Sequence, residues 1–200
     1  MEHVLAVIED LRSQHEVLRE DRTPIDVFTF LEIDLGLNPI PFDDLKARYD
    51  VEAAIMADFT GIYLDAEQYI LMEHGPEWRL KRLRFTVAHE LGHFFLHRHL
   101  PQTEQFASLP NFARWTSTLG GNKYTIEQEA NEFAGRLLVP KGKLQDCFDE
   151  FAKDAEKLIP HFMDSGEIRQ KFAEQVAPRF GVNSDVVKIR LDRDGIWPAG

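Results

Sequence analysis

Arg84–His97, R-F-T-V-A-H-E-L-G-H-F-F-L-H, is the stretch from which the fold of this chain can be read. Within it His89, Glu90 and His93 form an H-E-x-x-H pattern. Leu83, Val87, Leu91, Phe94 and Phe95 recur at steps of three and four, which predicts an amphipathic helix with one buried face. On such a helix, residues four apart lie about 40° apart around the axis and about 6 Å along it, so the imidazoles of His89 and His93 reach one metal ion. Glu90 sits about 100° from His89, placed to touch water at that metal without binding the metal itself. Two neutral imidazoles as ligands and a carboxylate as general base make a zinc hydrolase. A satisfied core helix is the competing reading. By composition, an H-E-x-x-H arises by chance in about 3 of 100 such chains. Burying two His and a Glu without a partner is also costly. The metal site is therefore preferred.

Two His do not complete a catalytic zinc site. His99 follows at the metzincin spacing, but metzincins place Gly where the chain must leave the helix with positive φ, and Leu96 stands there. The other source is Thr125–Ala134, T-I-E-Q-E-A-N-E-F-A. Thr125 as N-cap, acids in the first turn and an apolar stripe through Leu137 and Leu138 to Pro140 predict a second helix. Glu127, Ala130, Asn131, Ala134 and Leu138 share one face, and the small Ala residues let it pack closely on the first helix. Glu129 shares its side with Glu132 and Phe133 and reads as more solvated. Glu127 is thus preferred to Glu129 as third ligand. Asn131, one turn on, can hydrogen-bond a ligand imidazole. His97, one turn beyond His93, reads as a support for the ligands or a helix end. Tyr124 and His97 are candidate donors to an oxyanion.

The rest of the chain is that of a globular protein. In 200 residues, 44% apolar with 15 Phe, there is material for one domain with a small appended part. No apolar run approaches the ~20 residues of a membrane span. The start M-E-H-V-L-A-V-I-E-D is acidic, without the basic start of a signal peptide. Cys147 is the single cysteine, which excludes an intramolecular disulfide and a Cys-rich zinc site. The expectation is a cytoplasmic protein with no membrane partner. A net charge of −11 argues against broad nucleic-acid affinity. The basic run Arg79–Arg84 reads as a solvated helix face in preference to a nucleic-acid contact.

Residues 3–20 predict an amphipathic helix, with Val4, Leu5, Ile8, Leu11 and Leu18 on one stripe. Thr23-Pro24 reads as the cap and first position of a second helix that turns Val27, Phe28, Leu31 and Leu35 inward and stops at Gly36. A loop at Asn38–Pro41 and a short helix around Asp43–Tyr49 follow. Val51–Phe59 alternates as a strand, while Gly61–Leu64 and Tyr69–Met72, separated by Asp65–Gln68, predict a hairpin. The edge of that sheet could pair with an extended substrate or simply pack on the metal helix. Residues 101–124, with Phe106, Phe112 and Trp115, predict a loop or lid, its aromatics either tucked under it or lining substrate subsites. Lys141–Leu158 predicts a helix with Leu144, Phe148, Phe151, Ala155 and Leu158 inward. Glu167–Phe180, the turn Gly181-Val182-Asn183 and a helix Ser184–Leu191 capped by Ser184 resemble a helix-turn-helix across residues 167–195. Pro178, Asp185, Asp192 and Asp194 weaken it as a DNA reader, so packing or partner docking is preferred.

The helix quoted first, followed by E-x-E-A-N-E-F-A-G-R-L-L-V-P, resembles the ImmA/IrrE family of gluzincin-like metallopeptidases over roughly residues 23–140. The resemblance implies an α+β, zincin-like domain over residues 1–140, with a small sheet packed on the H-E-x-x-H helix and helical N-terminal parts. A helical region would follow at residues 141–200. It also implies a zinc endopeptidase that cuts a helix-turn-helix repressor, releasing phage, mobile-element, toxin–antitoxin or stress-response genes. Under it His89, His93 and Glu127 are the metal ligands and Glu90 the base. Zinc is the expected ion, and manganese can substitute. A different class also stays open: a peptidase-like binding module or toxin partner that sequesters a DNA-binding regulator without proteolysis. The intact Glu90 favours the enzyme, because a binding module has no need of a base.

Overall fold

The stripe through Leu83, Val87 and Leu91 folds as expected into the helix Glu77–Leu96, with all three side chains buried. The computed structural model describes residues 2–56, 59–70, 74–98, 120–158 and 162–197, without the side chains of 120–124 and 156–158. In chain order the elements are α1 (Glu2–Gln14), α2 (Val27–Thr29, continued by a wider turn over Phe30–Asp34), β1 (Asn38–Phe42), α3 (Leu45–Tyr49), β2 (Ala53–Ile55) and β3 (Gly61–Asp65). They continue with α4 (Ala66–Ile70), α5 (Glu77–Leu96), α6 (Gly120–Leu138), α7 (Lys141–Leu158), α8 (Gly166–Phe180) and α9 (Ser184–Arg193). The class is α+β, mostly helical with a small sheet. None of the described helices is long and apolar enough to cross a membrane.

α6 packs along α5. Ala130 and Ala134 are fully buried between them, as their size predicted. The matching small residue on α5 is Gly92, where a Cβ would stand 2.9 Å from the Ala130 Cα. α6 starts at Gly120, so Thr125 lies inside it and does not cap it. The N–H groups that Thr125 was expected to cap already fall within the helical ladder.

The N-terminal part departs from expectation at its turns. α1 ends at Gln14, and His15 is extended (φ −122, ψ 114) before 3-10 turns at Glu16–Leu18 and Glu20–Arg22. This bend buries Leu18 together with Val4, Ile8 and Leu11, and sets His15 Nδ1 2.8 Å from Asp34 Oδ1. The Thr23-Pro24 peptide is cis, and Asp26 caps α2 by accepting from the N–H groups of Phe28 and Thr29. Gly36, with φ +64, closes the segment as predicted.

The sheet has the order β1-β3-β2, with β1 parallel and β2 antiparallel to the central β3. Asn38–Pro41 is therefore strand where a loop was expected. Pro39 and Pro41 are tolerated because β1 is an edge strand, where their missing N–H groups need not cost a ladder bond. Tyr69 and Ile70 are helical, so the expected hairpin does not form; Leu71 and Met72 lie outside the described residues. Asp65 is the cause: its Oδ1 accepts from the Gln68 N–H and starts α4 directly after β3. Of the strand expected across residues 51–59, the described residues form Ala53–Ile55, and Phe59 takes positive φ (57°); residues 57 and 58 lie outside the described residues.

The C-terminal helices follow their sequence closely. α7 has the predicted bounds, and Gly181 turns the chain with φ +62. The cap position before α9 is Asn183, one residue earlier than the expected Ser184. Rings of Phe148, Phe151, Phe162 and Phe172 surround Trp197, whose indole N–H donates to the Met163 carbonyl. One apolar cluster joins Val4 of α1, Val87 of α5 and Leu191 of α9. The basic run of α5 is spent inside the chain: Arg79 pairs with Glu67, Lys81 with Glu77 and Arg82 with Glu52. Arg84 donates to the carbonyls of Ile25 and Gly181.

Candidate metal centre

α5 carries His89 and His93 one turn apart, with their Nε2 atoms 3.1 Å from each other. The close approach of α6 at Gly92 and Ala130 brings Glu127 to them, its Oε2 3.2 Å from His89 Nε2 and its Oε1 3.7 Å from His93 Nε2. Among the described residues this is the one set of three such groups with ligand atoms all within 4.8 Å of one another. Tetrahedral zinc with bonds of about 2.0–2.2 Å sets neighbouring ligand atoms about 3.3 Å apart. The observed spacings bracket that value, so the donor set fits a zinc-sized ion.

Glu90 is buried, and its Oε2 accepts from the Ile55 N–H of β2 at 2.8 Å. Ala54 faces β3 in the antiparallel ladder, so Ala53 and Ile55 turn their backbone groups to the outer edge of β2, which pairs with no other strand among the described residues. Glu90 thus stands between that edge and the His–Glu cluster. Burial pushes its carboxyl upward, against the opposing pulls of His89 and the Ile55 N–H. Burial also holds His93 down to about 3, helped by the neighbouring His89. A His kept neutral is what metal ligation requires. For His89, burial acts downward, but the hydrogen bond to Glu127 and the charges of Glu90 and Glu127 outweigh it and raise the group.

The outer nitrogens of both imidazoles are engaged. His89 Nδ1 lies 3.1 Å from Asn131 Oδ1, and His93 Nδ1 lies 3.0 Å from His97 Nδ1. His97 Nε2 is 3.0 Å from Glu129 Oε2, and Glu129 Oε1 is 3.2 Å from His3 Nε2 on α1.

The profile of the IrrE N-terminal-like domain, Peptidase M78, matches residues 75–192, more than half of the chain. The chain belongs to the ImmA/IrrE metallopeptidase family. No curated protein and no solved structure matches it. The family match contains His89, Glu90, His93 and Glu127, begins after the sheet and runs through α8 and most of α9. Membership makes a metallopeptidase-type function the frame for the cluster.

In this ImmA/IrrE chain, the structure brings together His89, Glu90, His93, Glu127, Asn131 and His97. The side chain of Tyr124, the alternative ligand His99 and the segment with Phe106, Phe112 and Trp115 lie outside the described residues. Glu129 corrects the sequence reading: it is partly buried and bound to two His, where a solvated side chain was expected. His97, one turn beyond His93, carried half of that signal. His3 carried none, because nothing local in the sequence links α1 to α6. Gly92 and the Ile55 N–H were also missed. The first could have been found as the small residue inside H-E-L-G-H, whereas the second is a backbone group and has no signature.

Proposed function

We propose that this chain is a zincin-like, zinc-dependent endopeptidase that makes one site-specific cut in a helix-turn-helix repressor in the cytoplasm and so relieves repression. The observation that supports it most is Glu90, set between the outer edge of β2 and the cluster of His89, His93 and Glu127. The repressor is argued from the resemblance to ImmA/IrrE peptidases.

His89, His93 and Glu127 would hold the ion. Zinc there, or manganese in its place, would supply Lewis acidity and bring the pKa of a water towards ~7. Glu90 takes a proton from water as it attacks the peptide carbonyl, then delivers that proton to the leaving nitrogen. The Ile55 N–H orients the Glu90 carboxylate for both transfers. Asn131 and His97 fix the ligand rings from behind. The outer edge of β2 receives the substrate as an added strand, through the backbone groups of Ala53 and the carbonyl of Ile55, whose N–H is held by Glu90. Such an edge accepts only extended chain. A folded repressor must therefore offer a flexible linker or open locally, and compact generic proteins should be poor substrates.

The test uses wild type and Glu90→Gln, each incubated with helix-turn-helix repressors from the same genome, beginning with any encoded beside this gene. Wild type alone should give a single cut, with the variant still loading metal. Equal derepression by both proteins, with no cleavage, would make the sequestering module the better account.

A further inference from the structure

We propose that Glu129 is a positioning residue that fixes the imidazole of His93 through His97. The inference rests on His93 being a metal ligand and adds a carboxylate outside the set of residues that would touch the ion.

The argument is one of proton placement. His93 Nε2 faces His89 Nε2 and Glu127, so it must keep its lone pair free to bind an ion. The proton of a neutral His93 then sits on Nδ1 and is donated to His97 Nδ1 at 3.0 Å. His97 Nδ1 is thereby an acceptor, which places the His97 proton on Nε2. That N–H donates to Glu129 Oε2 at 3.0 Å. A carboxylate only accepts, so it ends the line and leaves one arrangement of protons for all three groups. The second oxygen of Glu129 lies 3.2 Å from His3 Nε2, which sets the carboxylate against α1.

The two ligand rings are held differently. His89 has a neutral amide oxygen, from Asn131, directly behind it. His93 has an imidazole behind it and an anion one step further. Without an acceptor at position 129, His97 Nε2 would lose its bond to Glu129 and the constraint that the carboxylate places on its tautomer. His97 could then present a protonated Nδ1 to His93, leaving two donors face to face and the ligand ring free to turn. His97 is 8% exposed, too little for water to replace that acceptor at will. Removing such an outer partner typically weakens metal binding about 10–100-fold.

The experiment measures zinc affinity by chelator competition and records the visible absorption of the cobalt(II)-substituted protein. It compares wild type, Glu129→Ala, Glu129→Leu and Glu129→Gln, with thermal unfolding of each metal-free protein as reference. Glu129→Ala should bind zinc about 10–100-fold more weakly and shift the cobalt bands. Glu129→Gln keeps an oxygen acceptor for His97 and should restore the band positions. Glu129→Leu keeps the bulk without the acceptor and carries the same expectation if the alanine variant does not fold. Wild-type affinity and bands in the acceptor-free variants would overturn the proposal. So would an affinity loss with unmoved bands and a lowered unfolding temperature, which describes a mere staple between helices. Failure of the wild type to take up zinc or cobalt would instead remove the metal site itself, and this proposal with it.

Discussion

Glu127 and Asn131 stand one turn apart on α6 yet meet the candidate site in different ways. Glu127 sets its oxygens beside the Nε2 atoms of His89 and His93, while Asn131 touches only the far nitrogen of His89. On the proposed ligand set, removing the first takes away one of three ligands, whereas removing the second loosens a ring that still binds. Glu127→Ala should therefore purify with little or no zinc after dialysis. Asn131→Ala should keep its zinc but yield it to a chelator about 10–100-fold more readily. Metal analysis with a competition titration reads both, and equal losses would mean that the two roles have been divided wrongly. The same pair shows what the sequence made legible. His89, Glu90 and His93 could be read because helical pitch alone decides their geometry. Glu127 needed a choice between helix faces. Glu129 escaped because its partners come from the end of α5 and from α1, at distances that no local pattern records.

Elements were legible wherever an apolar period ran long, as in α5 and α7, and illegible where a short segment answered to its neighbours. β1 reads as a loop until β3 lies beside it, and Tyr69-Ile70 reads as strand until Asp65 caps a helix. The pairing of α5 with α6 is the element-level fact on which the site depends, and Gly92 sets it. Ala in place of Gly inside a helix gains up to about 1 kcal/mol from propensity alone. Here the new Cβ would meet the Ala130 Cα at 2.9 Å and the Ala130 carbonyl oxygen at 3.1 Å, backbone atoms that cannot rotate aside. Overpacking of that kind costs about 1–3 kcal/mol, so it outweighs the gain. Gly92→Ala should lower the unfolding temperature and weaken zinc binding together, because the shift that relieves the clash carries Glu127 away from the two His. A more stable variant with unchanged zinc affinity would show that the helices have slack at this crossing.

At the scale of the whole molecule, α6 is held from behind by the last helix of the chain. Glu132 is 2% exposed and accepts from Arg190 at 2.8 Å, from Arg136 at 2.5 Å and from Arg193. Arg190, itself 1% exposed, also grips Asp194. Arg190 and Arg193 sit on the helix that resembled a DNA reader, and both reach back to Glu132 on α6. Burial alone would raise the Glu132 carboxyl, but hydrogen bonds from Arg190, Arg193 and Arg136 hold it from an ordinary 4.5 down to about 2. Between those two values the unfolded chain binds the proton and the folded one does not, so stability there must rise with pH. The contribution of Glu132 is complete above pH 4.5 and is lost as the pH falls through about 2. At neutral pH, Glu132→Ala strands buried guanidinium charge and should cost about 3–5 kcal/mol. Glu132→Gln keeps the shape and removes the titration. Urea unfolding followed from pH 7 down to pH 2 separates the two effects. The glutamine variant should start less stable and then lose less than wild type across the acid window. Parallel acid profiles in the two proteins would mean that Glu132 shares its proton equilibrium with the unfolded state, and that the clamp between α6 and α9 is held by packing alone.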